Sequence, residues 1–201
     1  SGIGLSGDRF FYANLLEVNG STMEFDHVKK TRQPWFDCSC CPTTYCRFLP
    51  QIGDLAYGVG KDALRIDIPA AARIVTEQYE VVVSGDYPNH GDVEVKVVRG
   101  GQFVLRLRIP DWTHGEFNAT LGGAPVETPP EDGYLVFDRE WRTGDAVQLH
   151  LDVSPRLVWA HPRVGADAGR VAICRGPVVY CLEGVDNPGV ILGTVRIRDG
   201  L

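Results

Sequence analysis

No apolar run in these 201 residues approaches the roughly 18 that a membrane-spanning helix requires. The first stretch, SGIGLSGDRFF, has neither the basic start nor the apolar core of a secretory signal, and it lacks an initiator methionine. The expectation is a cytoplasmic chain that begins inside a domain, with residues missing upstream. A surplus of positive charge is also absent. Twenty lysines and arginines stand against 26 aspartates and glutamates, for a formal net charge of −6. Nucleic acid and anionic membranes both reward a basic face, so neither is the expected partner. A neutral, polyhydroxylated ligand suits such a surface well. Internal repeats and low-complexity tracts are missing too, which excludes solenoid and fibrous architectures.

What is present is an ordinary globular composition, 44% hydrophobic and 23% charged, sufficient to bury one or two cores without covalent staples. The chain divides near residue 55. Residues 1–55 hold two short apolar runs, 10–18 and the segment after Pro42, with turn signals at Ser6-Gly7-Asp8 and Asn19-Gly20. Their start reads as an alternating strand pair. Beyond residue 60 the pattern is of strands: period-two alternation or β-branched runs recur at 63–68, 79–83, 93–98, 103–109, 134–137, 147–151, 171–174 and 178–182. Clusters such as SGDYPNHGD, RGGQ, LGGAP, TPPEDG and RTGD separate them. Short strands at this spacing predict a mainly β fold, an antiparallel sandwich rather than a parallel sheet with intervening helices. The division is 1–55, a sandwich over 56–160, and a further β segment or second sandwich beginning at 161–201.

The stretch RQPWFDCSCCPTTYCRFLP gathers Cys38, Cys40, Cys41 and Cys46. Pro42 suits the first turn of a helix, where a missing N–H costs nothing, and Tyr45, Phe48 and Leu49 supply a short apolar face. The helix should end near Pro50 or Gly53. Cys40 and Cys41 then lie at or just before its N-terminus, where free N–H groups and the helix dipole favour an anion. Five chemistries fit the residues. Disulfides suit the even count of six cysteines but strain the adjacent pair. Small buried thiols, a four-thiolate structural zinc site, and a Cys-x-x-Cys redox pair of Cys38 with Cys41 are further readings. The fifth is a catalytic metal–thiolate site in which two adjacent thiolates bind one zinc and other ligands come from elsewhere.

The stretches RQPWFDCSCCP, DYPNHGDVEVKV, FVLRLRIPDW, YLVFDREWRTGDAVQLHLDV and HPRVGADAGRVAICRGPVVYCLEGVDN, in this order, resemble glycoside hydrolase family 127, the β-L-arabinofuranosidase family. The resemblance runs from about residue 3 to about residue 188. It implies an (α/α)6 barrel catalytic domain, whose tail would be residues 1–55, followed by a jelly-roll-like antiparallel β-sandwich. It further implies a retaining exo-glycosidase that hydrolyses β-L-arabinofuranosides in arabinose-containing oligosaccharides or glycosides. A zinc-bound cysteine thiolate serves as nucleophile and a glutamate as acid and base. Carried over, Cys40 is the nucleophile and a zinc ligand, Cys41 a second ligand, and Cys38 a supporting residue. The remaining ligands and the acid/base glutamate would lie upstream of Ser1, so this chain alone should be inactive and should bind Zn2+ weakly or not at all. The other reading is a non-catalytic β-sandwich module for stability, oligomer contacts such as a homodimer, or carbohydrate binding.

Several further residues are candidates of a milder kind. Tyr12, in FFYANLLE, is expected to line a sugar pocket or to fill core. Trp35 is expected to stack on a sugar ring or plug the barrel. Glu17 and Glu24 read as structural carboxylates, Cys46 as a small core residue, and His90 and His161 as turn-stabilising histidines. Cys174 and Cys181 flank a Gly-Pro turn and read as free buried thiols.

Overall fold

A computed structural model of the chain describes residues 2–13 and 17–198. The chain forms two compact units, Ser1–Asp54 and Leu55–Leu201. Thirteen strands in the second unit carry the labels β1 (Tyr57–Val59), β2 (Ala63–Ile66), β3 (Ala72–Val75), β4 (Glu80–Gly85), β5 (Asp92–Arg99), β6 (Gly101–Arg108), β7 (Phe117–Leu121), β8 (Ala124–Pro125), β9 (Tyr134–Trp141), β10 (Ala146–Leu151), β11 (Pro155–Val158), β12 (Ala172–Arg175) and β13 (Val178–Tyr180). They build three sheets, ordered β1-β2-β6-β9, β3-β4-β5-β10-β7-β8 and β11-β12-β13. Beyond β1 the described helices are single turns of the 3-10 type, so this unit is mainly β and resembles a sandwich.

Alternation along the strands sets the core. In β6, Phe103, Leu105 and Leu107 are buried while Gln102, Arg106 and Arg108 face out; in β5, Val93, Val95 and Val97 do the same for the other sheet. Together with Leu64, Ile66, Val81, Val83, Leu135, Val147, Leu149 and Leu151 they form one cluster between the first two sheets. Its largest members stack. Tyr79 lies 4.4 Å from Phe103, and Phe103 5.5 Å from Trp141, at interplanar angles of 25° and 22°. Each polar atom in the stack has a partner: the Tyr79 hydroxyl reaches the Gly60 and Ala63 carbonyls at 2.9 and 3.0 Å, and Trp141 Nε1 donates to the Phe103 carbonyl at 3.1 Å.

The chain passes between the sheets beside this stack. Gly100 and Gly101 turn β5 into β6, and a Cβ on Gly100 would lie 2.0 Å from the Trp141 carbonyl oxygen, so only glycine fits. The return from β9 to β10 is pinned to the same corner by Gly144 N–H on the Val97 carbonyl at 2.9 Å and Val97 N–H on the Asp145 carbonyl at 2.8 Å.

Three expectations need correction. The sandwich is not wholly antiparallel: β2 pairs with β6 in parallel, Ala63 opposite Val104 through Ile66 opposite Leu107. Because β3, β4 and β5 intervene in the other sheet, β6 re-enters the first sheet in the direction β2 already took. In the first unit, the alternating pattern at the start of the chain yields no strand among the described residues, only the bridges Ile3 to Phe10, Phe10 to Gln33 and Phe25 to Val28. Nor does this unit form the tail of a helical barrel. Helix is confined to α1 (Cys40–Phe48), a 3-10 turn at Leu49–Gln51 and α2 (Ile52–Ala56). Phe36 is the unit's one buried hydrophobic among the described residues, so no helical face is packed deeply enough to extend. None of the described helices is long and apolar enough to cross a membrane.

The stack makes a testable ranking. Trp141→Ala should destabilise the chain by about 3–5 kcal/mol, and Gly100→Ala by about 1–3 kcal/mol through its collision with backbone. Val75→Thr, at a position 61% exposed, should change stability by no more than about 0.5 kcal/mol. Urea midpoints measure all three; equal losses for Trp141→Ala and Val75→Thr would contradict the assigned core.

Candidate functional site

The cysteine-rich segment and the Tyr12 segment are brought together within the first unit by a backbone bridge. Phe10 and Gln33 exchange N–H to carbonyl bonds, both 2.9 Å. Phe36, 4% exposed, then packs against Phe10 at 5.1 Å and Tyr12 at 5.5 Å between ring centroids, and His27 meets the Tyr12 ring edge-on at 4.8 Å. These contacts aim the Tyr12 hydroxyl at the thiols. Its oxygen lies 2.5 Å from Cys40 Sγ and 3.0 Å from Cys38 Sγ, and those two sulfurs are 3.5 Å apart. Cys38 first, then Cys40 and Cys41, push the Tyr12 hydroxyl well above the usual phenol range, because a phenolate among them would lose its hydrogen bonds. Tyr12 therefore stays neutral and can donate to a sulfur.

Local sequence explains how α1 presents its thiols. Cys40 and Cys41 are its first two residues, Pro42 occupies the first turn, and Ser39 stands at the N-cap without a side-chain cap bond. Thr43 and Thr44 donate their hydroxyls to the Cys40 carbonyl at 3.0 and 2.9 Å, while Thr43 N–H bonds the Ser39 carbonyl at 3.0 Å. The α-helix changes to a 3-10 turn at Leu49–Gln51, where Pro50 supplies no N–H.

Cys40 is exposed, Cys38 and Cys41 are half-buried, and none of the six cysteines is joined in a disulfide. Cys46 is exposed rather than a small core residue, since its side of α1 buries nothing. Trp35 is 56% exposed, and among the described contacts of the thiols it has no part. Glu17 accepts from Asn19 Nδ2 at 3.0 Å and Glu24 from the Lys30 N–H at 2.8 Å, so both carboxylates serve their own loop. In the second unit, His90 Nδ1 pairs with Asp86 at 3.0 Å, and His161 Nδ1 accepts the Arg163 N–H at 3.2 Å. Both histidines steady turns. Cys174 is buried, but Cys181 is exposed with its thiol 3.7 Å from the Glu183 carboxylate; β13 ends at Tyr180 and leaves it at the edge.

The thiols can be tested as donors for zinc. Two sulfurs on one tetrahedral Zn2+ stand about 3.8 Å apart, given Zn–S bonds of about 2.3 Å; Cys38 and Cys40 come close to that spacing. Among the described residues, however, no group of three or more His, Cys, Asp or Glu side chains is placed to hold a metal ion. The described residues alone therefore do not complete a donor set. The sequence reading missed the role of Tyr12 as the group on which the thiols converge, because that contact joins residues far apart in sequence.

Comparison with known proteins agrees across the chain. The model of the GH127 β-L-arabinofuranosidase middle domain matches residues 64–153, and that of the family 127 C-terminal domain matches residues 155–199. The non-reducing end β-L-arabinofuranosidase of Bifidobacterium longum subsp. longum is 35% identical over 216 aligned residues, covering 100% of this chain and 32% of its own. The structure of a GH127 β-L-arabinofuranosidase from Geobacillus stearothermophilus T6 is 38% identical, with a TM-score of 0.81 over 92% of this chain and 31% of that one. A GH127 β-arabinofuranosidase structure at 34% identity superposes with a TM-score of 0.79 over the same shares. The chain thus spans about a third of the length of these relatives. With both family models and the relatives aligned along it, the chain belongs to glycoside hydrolase family 127 and carries that family's middle and C-terminal domains.

Proposed function

We propose that this chain is the accessory portion of a glycoside hydrolase, inactive by itself, and that the parent protein hydrolyses β-L-arabinofuranosides with retention through Cys40. The observation that carries this reading is the position of Cys40. It stands exposed at the first turn of α1, against Tyr12 and Cys38, while Glu17 and Glu24 are tied to their own loop. Retention requires a nucleophile on one face of the anomeric carbon and a proton donor on the other. In this reading Cys40 is the first, and the second comes from another part of the parent.

In the parent, the catalytic (α/α)6 barrel that the resemblance implies would supply the acid, and the sandwich would lend stability, homodimer contacts or carbohydrate binding. Cys40 attacks the anomeric carbon as the glycosidic C–O bond breaks, and an acid from outside the chain protonates the departing oxygen; water then releases the sugar and restores the thiolate. Tyr12 holds the sulfur in position through its hydroxyl. Cys40 and Cys41 would provide two ligands to a Zn2+ completed by other residues of the parent, and the ion, when bound, keeps sulfur deprotonated at neutral pH. A cytoplasmic location belongs to the same proposal.

Two outcomes follow for measurement. The 201-residue chain should not release nitrophenol from a p-nitrophenyl β-L-arabinofuranoside, because general acid help is typically worth about 10²- to 10⁴-fold. Turnover with retained configuration would show that an acid lies within the chain, and the reading as an inactive module would fall.

In the parent, Cys40→Ser should abolish turnover and Cys41→Ser should lower zinc content, whereas Cys46→Ala, at an exposed site, should shift stability by no more than about 0.5 kcal/mol. Zinc content and rate across these variants decide the matter. Loss of zinc in Cys46→Ala equal to that in Cys41→Ser would indicate a structural four-thiolate cluster instead.

A further inference from the structure

The loop joining β11 to β12 encloses a cleft of about 300 Å³ far along the chain from the thiols. It springs from the last register pair of that hairpin, Val158 opposite Ala172. Its lining includes Trp159, His161, Asp167 and Arg170. The loop is held by its own backbone: Val164 N–H reaches the His161 carbonyl at 2.8 Å, Asp167 N–H the Val164 carbonyl at 3.1 Å, and Arg170 N–H the Asp167 carbonyl at 3.0 Å. The cleft is thus preformed.

Trp159 is 67% exposed, whereas Trp141 is 2% exposed with its indole N–H satisfied. Among the described residues, Trp159 makes no hydrogen bond. An indole left in water at the rim of a cleft offers a flat, electron-rich face and an N–H donor, a combination suited to a ligand that is apolar on one side and polar on the other. The polar lining has both signs of hydrogen-bonding capacity. Asp167 supplies a carboxylate acceptor. Because His161 Nδ1 accepts the Arg163 N–H, its ring proton sits on Nε2, which adds a donor.

We propose that this cleft is a binding subsite for one sugar ring of a glycan, stacked by its C–H face on Trp159, with ring hydroxyls bonded by Asp167 and His161 Nε2. Each hydroxyl both donates and accepts, so a carboxylate acceptor and an imidazole donor in one cleft satisfy a pair of them more fully than either would alone. A volume near 300 Å³ is at the small end of ligand sites, which span about 300–1,000 Å³, and suits a single ring rather than a peptide or a whole oligosaccharide. The site would hold a distant part of the glycan whose end is hydrolysed. In that respect it rests on the reading of the parent as a glycosidase.

The test is a titration of the isotope-labelled 201-residue chain with arabinotriose and, separately, xylotriose, following the indole N–H signals of the four tryptophans. The Trp159 signal should move saturably with a millimolar midpoint, the Asp167 and Arg170 amides should follow the same curve, and the Trp141 signal should stay in place. Trp159→Ala, at an exposed position and with an otherwise unchanged spectrum, should lose the amide shifts; Trp159→Phe should keep them at weaker affinity. Saturation by neither sugar overturns the subsite, as does a Trp159 signal already displaced in the sugar-free parent, since the parent's own chain then covers the indole. Because the titration reads binding without hydrolysis, an inactive parent would sink the glycosidase reading and leave the sugar site standing. Saturation by xylotriose alone would support the site and redirect its preference.

Discussion

The second unit depends on the contact of three flat rings where the chain changes sheets. Tyr79, Phe103 and Trp141 come from both sides of the sandwich, and each leaves the solvent almost completely. Burying rings of this size is favourable only if their polar atoms keep partners. The Tyr79 hydroxyl satisfies that condition by reaching across to the Gly60 and Ala63 carbonyls at the β1–β2 turn, which fixes the first sheet relative to the start of β4. Desolvation holds that hydroxyl above the ordinary phenol range, so it stays a neutral donor. Arg139 lies over the Trp141 ring at 5.1 Å and bonds Asp145 at 3.3 Å, closing the stack from outside and tying it to the β9–β10 return.

Much of this was legible in the sequence because alternation has only one meaning when one face of a strand is buried. The runs at 93–98, 103–109, 134–137 and 147–151 became β5, β6, β9 and β10. What escaped were strands with little alternation to display: β1, which is three residues long, β3, whose only deeply buried residue is Ile74, β7, whose one buried residue is Ala119, β8, which is two residues long, and β11, which opens on Pro155. The parallel pairing of β2 with β6 was unreadable for a different reason. Local pattern says which face a strand buries, and only the path of the intervening segments decides its direction.

The candidate site divides along the same line. Spacing alone drew attention to Cys38, Cys40 and Cys41, and the proline that follows them predicted a helix start. The partner on which they converge was hidden, since Tyr12 arrives through the Phe10–Gln33 bridge and the packing of Phe36. In the first unit the period-two pattern misled, because strands need neighbours to bury a face and only isolated bridges formed.

The parallel pair bears on the order of assembly. Antiparallel neighbours such as β4 with β5 or β12 with β13 are joined by short turns and can close early, at small entropic cost. By contrast, β2 must wait for a strand that follows the whole β3–β5 excursion; until β6 arrives, its inner row of Leu64 and Ile66 has only β1 beside it. During synthesis from the N-terminus, that open edge is exposed to any strand in solution. The charged residues alternating with those apolar ones, Arg65 and Asp67, joined at 2.8 Å, put charge along the waiting strand, which discourages intermolecular pairing while the rest of the sheet is still emerging.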